Sequence, residues 1–198
     1  MPVDFLQPVK KPPILRRMPI QAITVYLSSS SQVDSTYNVA TAALGTAIAQ
    51  HQWTLVYGGN LVGMMAVLAN ATRAAGGKVV GITPQVLVDK GLSDNGCDEL
   101  IVAKDMRSRK ALLEERGDAF ITLPGGLGTF EEIFEIIVGK QLGMHNKPIV
   151  ILNINNYFAP LLTMIEHGIE QRFIKTAARD YYHVSKTVED AMKYLGSI

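Results

Sequence analysis

The stretch that decides the fold is Asp118-Ala119-Phe120-Ile121-Thr122-Leu123-Pro124-Gly125-Gly126-Leu127-Gly128-Thr129-Phe130-Glu131-Glu132. Residues 118–123 are short, mostly apolar and read as a buried strand. Glycines at 125, 126 and 128 follow at once, and a helical pattern opens at Thr129 or Phe130 and reaches about Leu142. Strand, glycine-rich turn and helix make the repeating step of a parallel α/β sheet. A helix start offers free N–H groups and a partial positive charge, and glycines let an anion approach the backbone closely. Pro124 to Thr129 therefore suits a phosphate. The competing reading is that the glycines serve only the tight turn.

The same step recurs on both sides of this stretch. Ile20 to Leu27 reads as a strand and ends in the polar break Ser28 to Ser31. A helix follows with Ala40, Ala43, Leu44, Ala47 and Ile48 on one face. Trp53 to Tyr57 is a second strand, Leu61 to Ala75 a helix stopped by Gly76-Gly77, and Lys78 to Ile82 a third strand. Thr83 to Gly96 reads as a loop or lid, and Glu99 to Val102 as a short strand. Asp105 is placed to cap a helix running to about Arg116. Beyond the central stretch, Pro148 to Leu152 and Tyr181 to Val184 read as strands around a helix over Tyr157 to Arg172. Thr187-Val188-Glu189-Asp190 resembles a capping box for a terminal helix. The expectation is an α/β fold with a Rossmann-like parallel sheet, helices on both faces and a single domain over 19–198. Residues 1–18, with Pro2, Pro8, Pro12 and Pro13, read as a flexible proline-rich arm.

Composition limits the function. The formal net charge is +1, so no basic excess calls for nucleic acid. No apolar run is long enough for a membrane span and no secretory signal opens the chain, so the cytoplasm is the expected location. The one cysteine, Cys97, reads as an incidental thiol. His51, His145, His167 and His183 show no metal-ligand spacing, and no metal is expected.

Two motifs nearly match. Gly58 to Gly63 has the spacing of a triphosphate loop, but Met64 and Met65 stand where Lys and Ser or Thr would be needed. Gly126-Leu127-Gly128 begins like a dinucleotide fingerprint, but Glu131 occupies the third glycine position. One phosphate fits better than two or three. Glu131 and Glu132 lie about 100° apart around a helix, so only one can face a ligand. Arg107, Arg109 and Lys110 sit near a helix start, where cations oppose the dipole, which suggests that they work elsewhere.

Met106-Arg107-Ser108-Arg109-Lys110, Asp118-Ala119-Phe120-Ile121 and Pro124-Gly125-Gly126-Leu127-Gly128-Thr129-Phe130-Glu131-Glu132 together resemble the LOG (Lonely Guy) family of cytokinin riboside 5′-monophosphate phosphoribohydrolases, long mislabelled as lysine decarboxylases. Val56-Tyr57-Gly58-Gly59 and Gln141 to Pro148 also match, and the resemblance spans about residues 20 to 175. It implies cleavage of the N-glycosidic bond of an N6-substituted AMP without metal or cofactor, and a homodimer or larger homo-oligomer. It implies Arg109 and Glu132 as catalytic, with Glu132 stabilising the cationic sugar, holding ribose hydroxyls or orienting water. Lys110, Gly125, Gly126, Leu127, Gly128, Thr129, Phe130, Glu131, Ser29 and Gly59 are expected to bind the nucleotide. The chain departs from the family pattern at Leu27-Ser28-Ser29, at Asn60 in place of a third glycine, and at Val138-Gly139. A non-enzymatic nucleotide or molybdenum-cofactor carrier of the same superfamily is the alternative.

Overall fold

The computed structural model describes residues 19–198; the arm expected over 1–18 lies outside them. Seven strands form one sheet in the order β4-β3-β2-β1-β5-β6-β7, and every neighbouring pair is parallel. In chain order they are β1 (Ala22–Tyr26), β2 (Thr54–Tyr57), β3 (Val79–Pro84), β4 (Glu99–Ala103), β5 (Ala119–Thr122), β6 (Ile149–Leu152) and β7 (His183–Ser185). The helices between them are α1 (Ser35–Gln50), α2 (Gly63–Ala74), α3 (Gln85–Val88), α4 (Met106–Arg116), α5 (Leu127–Gln141), α6 (Ala159–Glu170) and α7 (Val188–Gly196). The expected α/β class and single Rossmann-like domain are what is found.

The central strands are mostly apolar because both faces of the sheet are covered, and their alternate residues feed two cores. Ile23, Val25, Leu55, Tyr57, Ile121 and Leu123 point to α1, α2 and α7. Tyr26, Val56, Ile82, Phe120 and Ile151 point to α4, α5 and Phe158. Each such side chain, fully buried, stabilises the fold by about 1.5–3 kcal/mol. Helix starts follow the capping residues read from sequence. Asp105 accepts from the Ser108 amide at 2.8 Å, and Thr187 Oγ1 accepts from the Asp190 amide at 3.1 Å.

Two stretches differ from expectation. The region 83–96 is not all loop: β3 runs on to Pro84 and leads into the single turn of α3. Its return is stitched to the end of β2, where the Leu61 amide donates to Leu92 O at 3.1 Å and the Asp94 amide to Gly59 O at 2.8 Å. Helix α5 begins at Leu127, two residues before the expected Thr129, because the Phe130 amide already closes a turn on Gly126 O at 3.0 Å. Glycine 128 thus belongs to the first helical turn instead of the loop.

The strand order places the chain's direction change between β1 and β5. From β1 the chain builds outward to β4, then returns to β5 on the other side of β1 and builds outward to β7. The loops after β1 and β5 therefore leave the sheet in opposite directions, opening a crevice at their carboxyl ends.

Candidate active site

The crevice is floored by the turn that the sequence singles out. Ser28, just past β1, donates its amide to Pro124 O at 3.3 Å, which ties the two loops together. Gly126 occupies the N-cap of α5 and no side chain caps the helix. Helices α1, α4 and α7 each have a capping side chain, from Asp34, Asp105 and Thr187. The amides of Leu127, Gly128 and Thr129 fall in the first turn, where a helix has no acceptor of its own to offer. An uncapped glycine-rich start is an anion site in waiting.

A cavity of about 400 Å³ lies over this start, within the range usual for small-molecule sites. Its walls come from five adjacent strand ends. Gly126 to Thr129 and Glu132 follow β5, Ser28 to Ser30 follow β1, and Asn60 and Met65 follow β2. Leu87 follows β3, and Met106 and Arg109 follow β4. A larger depression of about 640 Å³ sits at the opposite, amino-terminal edge of the sheet. Most of its charged groups are committed to the fold: Asp118 accepts from the Gln21 and Ala22 amides, Asp98 from the Val79 amide, and Arg116 pairs with Glu99. The cavity at the carboxyl edge, by contrast, opens onto the uncapped amides at the start of α5.

Arg109 resolves the misfit noted in the sequence. Its guanidinium leaves the start of α4 and crosses under the cavity, only 4% exposed. Nε donates to Ile82 O at 2.9 Å, Nη2 to Gly58 O at 3.4 Å and Nη1 to Glu132 Oε1 at 3.1 Å. Burial raises the Glu132 pKa above the usual carboxylate value, and the Arg109 charge opposes that rise without cancelling it. The carboxylate is thus held in tension between a dry setting and one fixed cation.

Of the residues expected at the site, Arg109, Glu132, Gly126, Leu127, Gly128, Thr129 and Ser29 line the cavity. Gly125 and Phe130 lie behind the lining. The Gly125 carbonyl accepts from the Tyr157 hydroxyl, and Phe130 packs against the rings of Tyr157 and Phe158. Gly59 lies beneath it at φ +69°, where an added Cβ would stand 2.9 Å from the Ile82 amide nitrogen.

Lys110 and Glu131 are elsewhere. Lys110 Nζ reaches Glu131 at 2.7 Å and Glu135 at 3.2 Å on the outer surface of α4 and α5. The reason is the helical turn: one residue on from Arg109 or back from Glu132 rotates the side chain about 100° away from the crevice.

Asn60, Met65, Leu87 and Met106 also line the cavity and escape sequence reading. Asn60 stands out in the sequence only as a departure from the family's glycine, and Met65 only as part of a failed triphosphate motif. Leu87 lies inside what reads as loop. Beneath them, the fully buried Asp94 accepts from Tyr57 OH at 2.6 Å, Arg73 Nη1 at 2.7 Å and the Gly96 amide at 2.9 Å. Burial works against its charge, but the Tyr57 and Arg73 hydrogen bonds prevail and lower its pKa.

Residues 65–195 match a family described as "Possible lysine decarboxylase". A cytokinin riboside 5′-monophosphate phosphoribohydrolase from Rhodococcoides fascians is 43% identical over 89% of this chain and 90% of its own. An Arabidopsis thaliana phosphoribohydrolase of the same description is 35% identical over 91% of this chain and 84% of its own. The chain belongs to the LOG phosphoribohydrolase family. The older decarboxylase label does not suit the LOG site seen here. A pyridoxal enzyme needs a lysine facing its cavity, whereas none lines this one and Lys110 is engaged by two glutamates outside it. The fold is shared more widely. A molybdenum cofactor carrier protein from Chlamydomonas reinhardtii superposes with a TM-score of 0.67 at 23% identity, over 90% of this chain and 99% of its own. The molybdenum cofactor binding protein of Rippkaea orientalis gives 0.66 at 22% identity, over 92% and 98%.

Proposed function

We propose that this LOG-family chain hydrolyses the N-glycosidic bond of adenosine 5′-monophosphates, including N6-substituted ones, to free base and ribose 5-phosphate. The observation that carries the reading is the buried Arg109–Glu132 pair opening onto the same cavity as the uncapped start of α5. The 5′-phosphate would sit on the amides of Gly128 and Thr129, with the Thr129 hydroxyl beside them. The sugar would then lie beside Glu132, the one carboxylate in the lining. Met65, Leu87 and Met106 offer an apolar far end for the base.

In the reaction the C1′–N9 bond breaks heterolytically. Its electron pair leaves with the base, which takes up a proton, and water delivers hydroxide to C1′. Glu132 stabilises the developing positive sugar and accepts the water's proton. Arg109 keeps Glu132 ionised and in place. We read the protein as cytoplasmic and as a homodimer or larger homo-oligomer. The exposed Phe134, Val138 and Leu142, spaced along one face of α5, support self-association.

The test is incubation with AMP and with N6-isopentenyl-AMP, followed by assay for ribose 5-phosphate. Wild type is expected to release it, while Glu132→Ala binds nucleotide without turnover. Binding by wild type with no turnover of either substrate would refute hydrolysis and favour a carrier.

A further inference from the structure

Asn60 holds a donor that the fold does not use. The residue is 6% exposed, yet it forms part of the cavity wall. The fully buried Thr83 hydroxyl donates to Asn60 Oδ1 at 3.0 Å, which leaves Nδ2 as the free end of the carboxamide. Nδ2 has no hydrogen-bond partner among the described residues, and it is not among the sealed, unsatisfied polar atoms of the interior. It therefore opens onto the cavity.

The strand order says which part of a nucleotide reaches it. The phosphate site follows β5, whereas Asn60 follows β2, with β1 between them. A nucleoside monophosphate anchored at α5 and passing its sugar beside Glu132 extends its base toward the ends of β2 and β3. There it meets Asn60, Met65 and Leu87. Thioether and leucine can contact the faces of a ring, but neither can recognise a ring nitrogen. A carboxamide N–H can. Burying an amide donor away from water costs stability unless a ligand acceptor meets it.

We propose that Asn60 is a specificity-determining residue whose Nδ2 donates to a lone-pair ring nitrogen of the purine, N3 or N7. This rests on the phosphoribohydrolase reading of the site. The test is binding, not turnover, because removing a ring nitrogen also changes the base as a leaving group. On a Glu132→Ala background, which binds without turnover, titration calorimetry would compare AMP, 3-deaza-AMP and 7-deaza-AMP on the protein that is wild type at position 60, on Asn60→Ala and on Asn60→Asp, with melting curves checking each variant. Wild type should bind one deaza analogue about tenfold more weakly than AMP, the worth of one neutral hydrogen bond. Asn60→Ala should lose that discrimination. Asn60→Asp can still accept from Thr83 but presents an oxygen in place of the donor, so it should bind AMP more weakly than the alanine variant. Equal binding of all three nucleotides by wild type, or discrimination kept by Asn60→Ala, overturns the assignment while leaving the nucleotide site intact. Absence of AMP binding by wild type removes the nucleotide reading and this inference with it.

Discussion

Replacing Gly125 by alanine should break the site through its geometry alone. The added Cβ would stand 2.1 Å from Thr129 Oγ1, 2.6 Å from Thr129 Cβ and 2.9 Å from Thr129 Cγ2. Rotating Thr129 about χ1 gives no relief, because its Cβ is itself too close and a β-branched residue in a helix has little rotamer freedom. Nor can Gly125 retreat easily, since its carbonyl is held by the Tyr157 hydroxyl. The start of α5 must therefore move relative to the turn by about 1 Å to restore ordinary carbon contact. A hydrogen bond lengthened by that much is lost. Losing two charge-assisted bonds from Gly128 and Thr129, at about 1.5–3 kcal/mol each, weakens AMP binding by at least about a hundredfold. Overpacking of this kind also costs about 1–3 kcal/mol of stability, or roughly 2–12 °C in Tm for a chain of this size. Gly128→Ala separates the two effects. No protein atom lies within 4 Å of its added Cβ, so folding should be unharmed while the methyl intrudes on the anion. Calorimetric titration with AMP, on a Glu132→Ala background that binds without turnover, and thermal melting read both quantities. A Gly125→Ala protein with wild-type Tm and wild-type AMP affinity would refute the claim that this junction is rigid and holds the phosphate.

Other expectations concern charge. Because burial raises the Glu132 pKa, kcat/KM should fall on acidification with a midpoint above the ordinary glutamate value, and Arg109→Met should move that limb to higher pH; pH–rate profiles check both, and a limb unmoved by the substitution would count against the pairing. The lowered pKa of Asp94 means that it adds stability above the unfolded aspartate value and that this is lost as pH falls through the lower folded value. Asp94→Asn should accordingly cost about 2–3 kcal/mol near neutrality, and melting should show a flatter stability–pH curve at acid pH than in wild type. Lys110→Met should change turnover by less than about twofold, since a surface ion pair is worth at most about 1 kcal/mol and the side chain faces away from the cavity; a large loss in the ribose 5-phosphate assay would return Lys110 to the site.

The fold was legible because period and punctuation agree along the chain. Apolar runs such as Ile23 to Leu27 and Ala119 to Leu123 fit only strands covered on both faces, and Asp105 and Thr187 mark helix starts by their own chemistry. Glycine hides the start of α5, since nothing local to Gly128 says that Leu127 already has helical geometry. The stretch 83–96 is hidden for another reason, because its conformation depends on a partner far away in sequence. Asp94 reaches Tyr57 across 37 positions, and no local pattern encodes that contact. Arg109 and Glu132 are recognisable by motif, and the family resemblance together with a cation oddly placed at a helix start points to their pairing, whereas the two carbonyls that hold Arg109 come from β3 and from just past β2. Asn60 could have been suspected from a carboxamide standing where a glycine is usual. Its free donor, however, depends on Thr83 from another strand.

The same electrostatics explain why the cavity needs an arginine as deeply buried as Arg109. The uncapped start of α5 attracts a phosphate, and that anion brings negative charge toward Glu132, which burial already pushes toward protonation. Without a fixed cation, substrate binding would neutralise the carboxylate that the reaction requires. Arg109 meets this need because two backbone carbonyls hold it independently of the glutamate, so it stays in place whichever protonation state Glu132 adopts. The ground state then carries two anionic groups near one sugar. That repulsion turns into attraction as the C1′–N9 bond stretches and the sugar becomes positive, so the site favours the transition state over the bound nucleotide. An arginine replaced by lysine would keep the charge but could not reach Ile82, Gly58 and Glu132 together. Arg109→Lys should therefore lower kcat more than it weakens AMP binding, and the reverse pattern would show that Arg109 serves mainly to hold the nucleotide.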